Sequence, residues 1–164
     1  KSTGEVMGSA MTFGEAFVKS QIAAGTRLPR SGKAFISVKG NDKARAVEVA
    51  RGLLAMGFSL IATKGTAAAM AAGRLECQVV NKVTEGRPHI VDMIKNDEIA
   101  LVINTVEERR NAIADSGQIR TSALAARVTT ITTIAGAEAA VEGMQYLDDL
   151  GVVSIQELHR QLAA

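Results

Sequence analysis

From Lys33 onward the sequence alternates short apolar runs of strand length with longer stretches of helical period, and most runs end in a loop of small polar residues. Strand, helix, strand at this spacing is the unit of a parallel sheet covered by helices on both faces. Ala34–Val38, Phe58–Ala62, Cys77–Val80, Ile99–Ile103 and a weaker run at Val128–Thr130 are expected strands, with a further short one at Val152–Val153. Ile99–Ile103 is the clearest, an unbroken apolar run between polar turns, as a strand buried on both faces requires. The pattern predicts a three-layer α/β/α fold around a parallel five-stranded sheet of Rossmann-like type.

The intervening helices follow from period and caps. Asp42–Met56 should place Val47, Ala50 and Leu54 inward and Lys43, Glu48 and Arg51 outward, with Gly57 as its stop. Thr66–Ala72 is stopped by Gly73, and a helix opened by Pro88 runs to about Lys95. Further helices are expected over Ser116–Ala126 and Gly136–Leu147. Ser154 with Glu157 caps a last helix that carries Ile155, Leu158 and Leu162 inward.

Residues 1–31 differ from the rest and read as an N-terminal arm and linker, leaving 32–164 as the domain proper. Thr12 with Glu15 makes a capping box for a helix over Phe13–Ala24 that Gly25 ends. The stretch Gly25–Gly32 has turn formers and no apolar period. Such an arm cannot build a core of its own, so it must pack on this domain or on something before it. The start lacks both an initiator Met and an apolar leader, and reads as a piece of a longer chain.

Composition excludes several classes. A net charge of +2 from 19 basic and 17 acidic residues does not make a nucleic-acid groove. Aromatics at 3%, with no Trp, leave no platform for stacking bases. No apolar run approaches the roughly 20 residues that cross a bilayer. Cys77 is the sole cysteine, which rules out an intrachain disulfide and a Cys-based zinc site. The cytoplasm is the expected compartment.

The strand-end loops carry the chemistry. Ser37–Lys43, Thr63–Thr66, Asn81–His89 and Asn104-Thr105 gather hydroxyls, amides, glycines and lysines where an open parallel sheet binds its ligands. Gly65 suits a tight turn, and Thr66 either caps the helix or donates its hydroxyl to an anion. Lys43 at a helix start opposes the macrodipole, which hints at an anion there. Lys82 directly after a strand points into the crevice, and Asn104 and Thr105 offer hydrogen bonds to a base or ribose. Neither a P-loop nor a Gly-x-Gly-x-x-Gly fingerprint is present. His89 is expected as a capping residue and His159 as a surface one. Asp148-Asp149 is expected as a solvated turn and Asp115-Ser116 as an N-cap. Glu107–Arg110 forms a charged face from which Arg109 or Arg110 can lean over the site.

With those residues in place, the chain resembles the C-terminal regulatory domain of the carbamoyl-phosphate synthase large subunit, which has the methylglyoxal-synthase-like fold. The resemblance rests on Ser2–Gly8 with Thr12-Phe13 and Glu15–Phe17, on Thr63-x-Gly65-Thr66, on Asn81–Ile90, and on Ile103–Thr105 with Arg109-Arg110. It implies an allosteric module of an ATP-dependent, glutamine-hydrolysing ligase serving arginine and pyrimidine biosynthesis. The implied effectors are UMP as inhibitor and IMP or ornithine as activators. The implied nucleotide site is Ser37, Lys43, Thr63, Gly65, Thr66, Lys82, Asn104 and Thr105, with Thr132 at a separate ornithine interface. Val106 departs from the family, whose members often carry a second Thr there. The implied partners are the rest of the large subunit, the small glutaminase subunit and further copies of the chain. No catalytic residue, metal or cofactor is expected in this piece; ATP with Mg or Mn, and K, belong to the parent enzyme. The alternative is a methylglyoxal synthase that eliminates phosphate from dihydroxyacetone phosphate. It needs a carboxylate base beside the phosphate pocket, where its members carry Gly-Asp in the loop after the third strand; here that loop reads Glu85-Gly86-Arg87-Pro88, with no Asp before Asp92 on the following helix.

Overall fold

The computed structural model describes residues 4–106 and 110–162. Five parallel strands, β1 (Lys33–Ser37), β2 (Ser59–Thr63), β3 (Gln78–Val80), β4 (Leu101–Asn104) and β5 (Thr129–Ile131), stand in the order β3-β2-β1-β4-β5. The chain fills one half of the sheet and then returns to fill the other, so the order reverses between β1 and β4. The parallel five-stranded sheet expected from the alternation is therefore present. β2 and β4 each run one residue past their apolar runs, through buried Thr63 and Asn104, because both residues stay in the ladder. Val152–Val153 is not a strand: it pairs with no strand among the described residues, and Val152 is fully exposed. A segment without a partner leaves its backbone groups to water.

Side chains of the central strands alternate between two cores. Ala34 and Ile36 of β1, Leu60 of β2, and Leu101 and Ile103 of β4 face α2 (Lys43–Ala55), α3 (Lys64–Ala72) and α6 (Ile134–Met144). Phe35, Ile61 and Val102 face α4 (Ile90–Lys95) and α5 (Arg110–Ala125). The buried face of α2 is Ala46, Val49, Ala50 and Leu53, about one position round from the expected Val47, Ala50 and Leu54. Val47 and Leu54 pack only on the rim of that core. On the outer side, Arg45 donates to Glu138 of α6 at 2.7 Å, which holds the Glu138 carboxyl below the usual carboxylate range.

The arm packs on this domain. α1 (Phe13–Ala24) lies against α6, and the contact is close because it is made of glycine: a Cβ on Gly143 would stand 2.6 Å from the Gly14 carbonyl oxygen. Thr12 accepts from the Glu15 amide at 3.3 Å as expected, but the Glu15 carboxylate turns to Lys19 at 2.8 Å instead of closing the box. Gly25 ends the helix in the left-handed region. Gly73 has another purpose. Its φ is negative, and a Cβ would meet the Val47 side chain at 2.6 Å, so it admits α2.

Three helix readings need correction. Pro88 lies before α4, with His89 as the N-cap, and so is not in its first turn. α5 begins at Arg110, so Asp115 and Ser116 sit inside it rather than at its cap. In α7 (Ile155–Leu162) the Glu157 amide donates to the Ser154 hydroxyl at 3.1 Å, but Ile155 is exposed and Leu158 only half buried. The Leu162 side chain, Ser2 and Thr3 lie outside the described residues. Among the described residues no helix is long and apolar enough to cross a membrane.

Candidate functional site

The carboxyl ends of β1 and β4, where the strand order reverses, open into a cavity of about 180 Å³. A sheet binds ligands in this crevice because adjacent strand-end loops diverge there. All eight residues expected at a nucleotide site line it: Ser37, Lys43, Thr63, Gly65, Thr66, Lys82, Asn104 and Thr105. Val38, Lys39, Gly40, Val106, Asp115, Ser116 and Ile119 complete the wall.

The loops hold one another through hydroxyls. Thr66, almost wholly buried, accepts from the Val38 amide at 3.2 Å, and Thr105 accepts from the Lys39 amide at 3.0 Å. The Ser37 and Thr63 hydroxyls meet at 3.2 Å, and the Thr105 amide donates to the Ser37 carbonyl at 3.0 Å. Each threonine that accepts in this way still has its own hydroxyl proton to give. Thr63 is the N-cap of α3 by backbone position, without a side-chain cap bond. The first amides of α3 are therefore left to other acceptors, as at an anion-binding helix start.

The two lysines come from opposite sides. Lys43 opens α2, just after the 3-10 turn at Gly40–Asp42, and its ammonium stands 3.6 Å from where a Gly65 Cβ would be. Gly65 has no left-handed φ and an alanine would make only ordinary contact, so the expected tight turn is not its reason. What the missing Cβ does is leave the start of α3 open toward Lys43. Lys82 ends the loop after β3, and its own amide donates to Glu85 at 3.0 Å, which fixes the 3-10 turn at Val83–Glu85. Two ammonium groups and a helix N-terminus on one small cavity favour an anion with several acceptor oxygens, such as a phosphate.

Asn104 also has a structural part. Its amide nitrogen donates to the Ser37 carbonyl at 3.3 Å, and its oxygen accepts from the Ser116 hydroxyl. It thereby braces β4 against β1 and α5, and the amide group still has a second proton to give.

The absence of a carboxylate beside the loops is also corrected. Asp115, only 8% exposed, reaches the cavity from the middle of α5. Ser116 and Ile119 line it from the same helix. Sequence reasoning missed this wall because Ser116-Gly117 resembles a helix start. The signal was the four-residue spacing of Asp115 and Ile119, which puts both on one face.

The remaining candidates fall elsewhere. His89 is buried at the start of α4, where the Asp92 carboxylate accepts from its amide at 3.1 Å, so it has the expected capping place. Asp92 also lies 3.6 Å from Arg87, and neither Asp92 nor Glu85 lines the cavity. His159 is exposed as expected. Asp148 is exposed and paired with Arg30. Among the described residues no group of His, Cys, Asp and Glu could hold a metal ion. Burial pushes the Cys77 thiol up to about 11, which keeps it protonated and inert at neutral pH. Glu107, Glu108 and Arg109 lie outside the described residues, as does the side chain of Arg110.

Thr132 lies at a second cavity of about 540 Å³ between α1, α5, β5 and the start of α6. Its polar wall is Thr26, Thr129, Thr130, Thr133 and Arg120, and its apolar wall includes Phe17 and Leu124.

Comparison with known proteins agrees with this geometry. The MGS-like domain family matches residues 45–132. The chain is 60% identical over 162 residues to the carbamoyl phosphate synthase large chain of Ralstonia nicotianae, covering 99% of this chain and 15% of that protein. It is 52% identical over 164 residues to the large chain of Pseudomonas putida and 51% over 164 residues to that of Xanthomonas campestris pv. campestris, covering in each case 100% of this chain and 15% of the other protein. The chain thus spans about 15% of the length of the curated relatives it matches.

Proposed function

The chain belongs to the MGS-like domain family, and from that premise we propose that it is the effector-binding regulatory domain of a carbamoyl-phosphate synthase large chain. It binds a nucleoside monophosphate at the carboxyl edge of its sheet and catalyses nothing alone. UMP acts as inhibitor and IMP as activator, while ornithine acts near Thr132. The parent is a cytoplasmic ATP-dependent ligase that draws on glutamine and serves arginine and pyrimidine synthesis. The rest of the large chain and a small glutaminase subunit are its partners. The observation that carries this reading is the meeting of Lys43, Lys82, Thr66 and the start of α3 on one cavity at the switch point. The carbamoyl phosphate synthase large chains that match over nearly the whole chain support the assignment to that parent.

A ligand that binds only the folded form at a hundredfold excess over Kd stabilises it by about 2.7 kcal/mol. UMP or IMP is therefore expected to raise the melting temperature by several degrees. Uridine, which lacks the phosphate, should do far less. Equal shifts from nucleoside and nucleotide would contradict the phosphate site.

Asp115 favours a second reading. Asp115 lines a phosphate-type cavity, and one of its carboxylate oxygens is buried without a partner among the described residues; a carboxylate at such a place is what a base removing a proton beside a carbonyl requires. Eliminating phosphate from dihydroxyacetone phosphate also calls for a group to move a proton at the enediolate oxygen. No histidine lines the cavity. The regulatory reading therefore expects no methylglyoxal above the uncatalysed background. Turnover abolished by Asp115→Asn would establish the lyase instead.

A further inference from the structure

We propose that the seam between α1 and α6 is a docking surface for an arginine from the remaining part of the large chain, whose guanidinium lies on Phe13 and pairs with Glu142. The proposal rests on the assignment to a large chain whose curated relatives are matched over about 15% of their length. It goes beyond that assignment in naming the contact.

A third cavity, of about 470 Å³, opens on this seam. It shares no residue with the cavity at the sheet edge, and only Phe17 and Gly136 with the one at Thr132. Phe13 and Phe17 form one wall, with ring centroids 6.0 Å apart. Of the four phenylalanines, Phe35 and Phe58 are buried in the cores, whereas Phe13 is 68% exposed. Met7 and Met11, on the same arm, are exposed to a similar degree. Large apolar side chains gathered along one exposed stretch mark a place of contact.

The other wall is acidic. Glu138 and Glu142 lie one turn apart on α6, a spacing that sets like charges side by side at a cost. Arg45 relieves Glu138, but Glu142 has no ion pair or hydrogen bond among the described residues. Its side chain is nevertheless held in place. A Cβ on Gly14 would stand 2.7 Å from Glu142 Cγ, so the glutamate stem lies against the backbone of α1 next to Phe13.

An aromatic face beside a fixed, uncompensated carboxylate defines the occupant. A guanidinium stacks on a ring and offers a carboxylate two parallel N–H donors. An apolar segment would cover Glu142 without giving it a partner, and an acidic one would be repelled. Ala135 and Ala139 contribute only small side chains, which leaves room for the long arginine stem. The patch is too small for a second copy, because a stable interface takes roughly 20–30 residues a side. A tethered neighbour needs far less, since the linkage itself supplies an effective concentration on the order of millimolar.

Carbodiimide labelling of Glu142, read by mass spectrometry, tests the assignment on the wild type and needs no variant. In the full large chain Glu142 should react roughly tenfold more slowly than in this domain alone, which corresponds to a docked state favoured by about 1.4 kcal/mol. Salt at about 1 M should remove most of that difference, because it screens an ionic contact. Blocking arginines with phenylglyoxal should remove it too, whereas acetylating lysines should not. Equal labelling in the two proteins overturns the proposal. Protection that persists in high salt overturns it as well, since it would mean an apolar cover without a cation. Protection in the isolated domain that grows with its concentration would assign the surface to a second copy, and that also overturns it. Glu142 lies outside the sheet-edge cavity. A failure of UMP to raise the melting temperature therefore contradicts the nucleotide reading alone, while the labelling still decides the docking.

Discussion

Phe35→Ala is expected to destabilise the domain by about 3–5 kcal/mol, the usual cost of truncating a fully buried aromatic side chain. Phe35 has no exposed surface and lies in register with Ile61 on one side and Val102 on the other. Its ring belongs to the core under α4 and α5, with Ile90, Ile94, Ile119 and Ala123. No polar group stands ready to fill the void, so the hole stays dry and the cavity penalty adds to the lost transfer energy. Domains of this size are stable by only about 5–15 kcal/mol, so the variant should retain a reduced but measurable stability at best. Each kcal/mol shifts the midpoint of a 150-residue domain by roughly 2–4 °C, which puts the drop near 10 °C or more. Thermal or urea unfolding measures it, with Val79→Ala as the control, because Val79 lies on edge strand β3 and is more than half exposed. Equal losses from the two variants would mean that β1 is not the central strand.

Much of this arrangement was legible in the sequence, for reasons that are local. A strand with both faces covered must be apolar without interruption, so Ile99–Ile103 announced itself. The polar residues after each run then had to collect at one edge, and those expected at the site all line one cavity. What stayed hidden depends on partners. Val152–Val153 has strand-forming residues but, among the described residues, no strand with which to pair. Which face of α2 is buried is set by the sheet and α6 rather than by α2 alone, and so the inward stripe fell one position away from its expected place. Gly73 reads as a helix stop, whereas its use, like that of Gly14 and Gly143, is to let a second helix or side chain come close. Asn104 had the chemistry of a ligand-reading amide, and its further bonds to the Ser37 carbonyl and the Ser116 hydroxyl depend on the fold. Asp115 was misplaced because Ser116-Gly117 carries low helix propensity, which the packing of Ile119 and Ala123 overrides.

Lys82→Ala is the second large effect, and it falls on binding. Lys82 is held at the exposed rim of the cavity by its loop, whose turn is fixed by Glu85 taking the Lys82 amide. That bond involves the backbone and survives the substitution, so the loop should keep its shape. A charge-assisted hydrogen bond contributes typically about 1.5–3 kcal/mol. At 1.4 kcal/mol for each factor of ten, UMP and IMP should both bind roughly tenfold or more weakly. The loss should be similar for the two, because Lys82 is assigned to the phosphate that they share and not to the base that distinguishes them. Stability should change little, since the side chain is exposed and belongs to neither core.

Titration calorimetry of UMP and IMP into the wild type and Lys82→Ala is the most direct test of the central claim, that the carboxyl edge of the sheet is a nucleotide-phosphate site. The expected result is tight binding of at least one nucleotide to the wild type and a loss of tenfold or more in the variant. If Lys82→Ala binds both nucleotides as the wild type does, Lys82 is a solvated surface residue and the phosphate is held elsewhere.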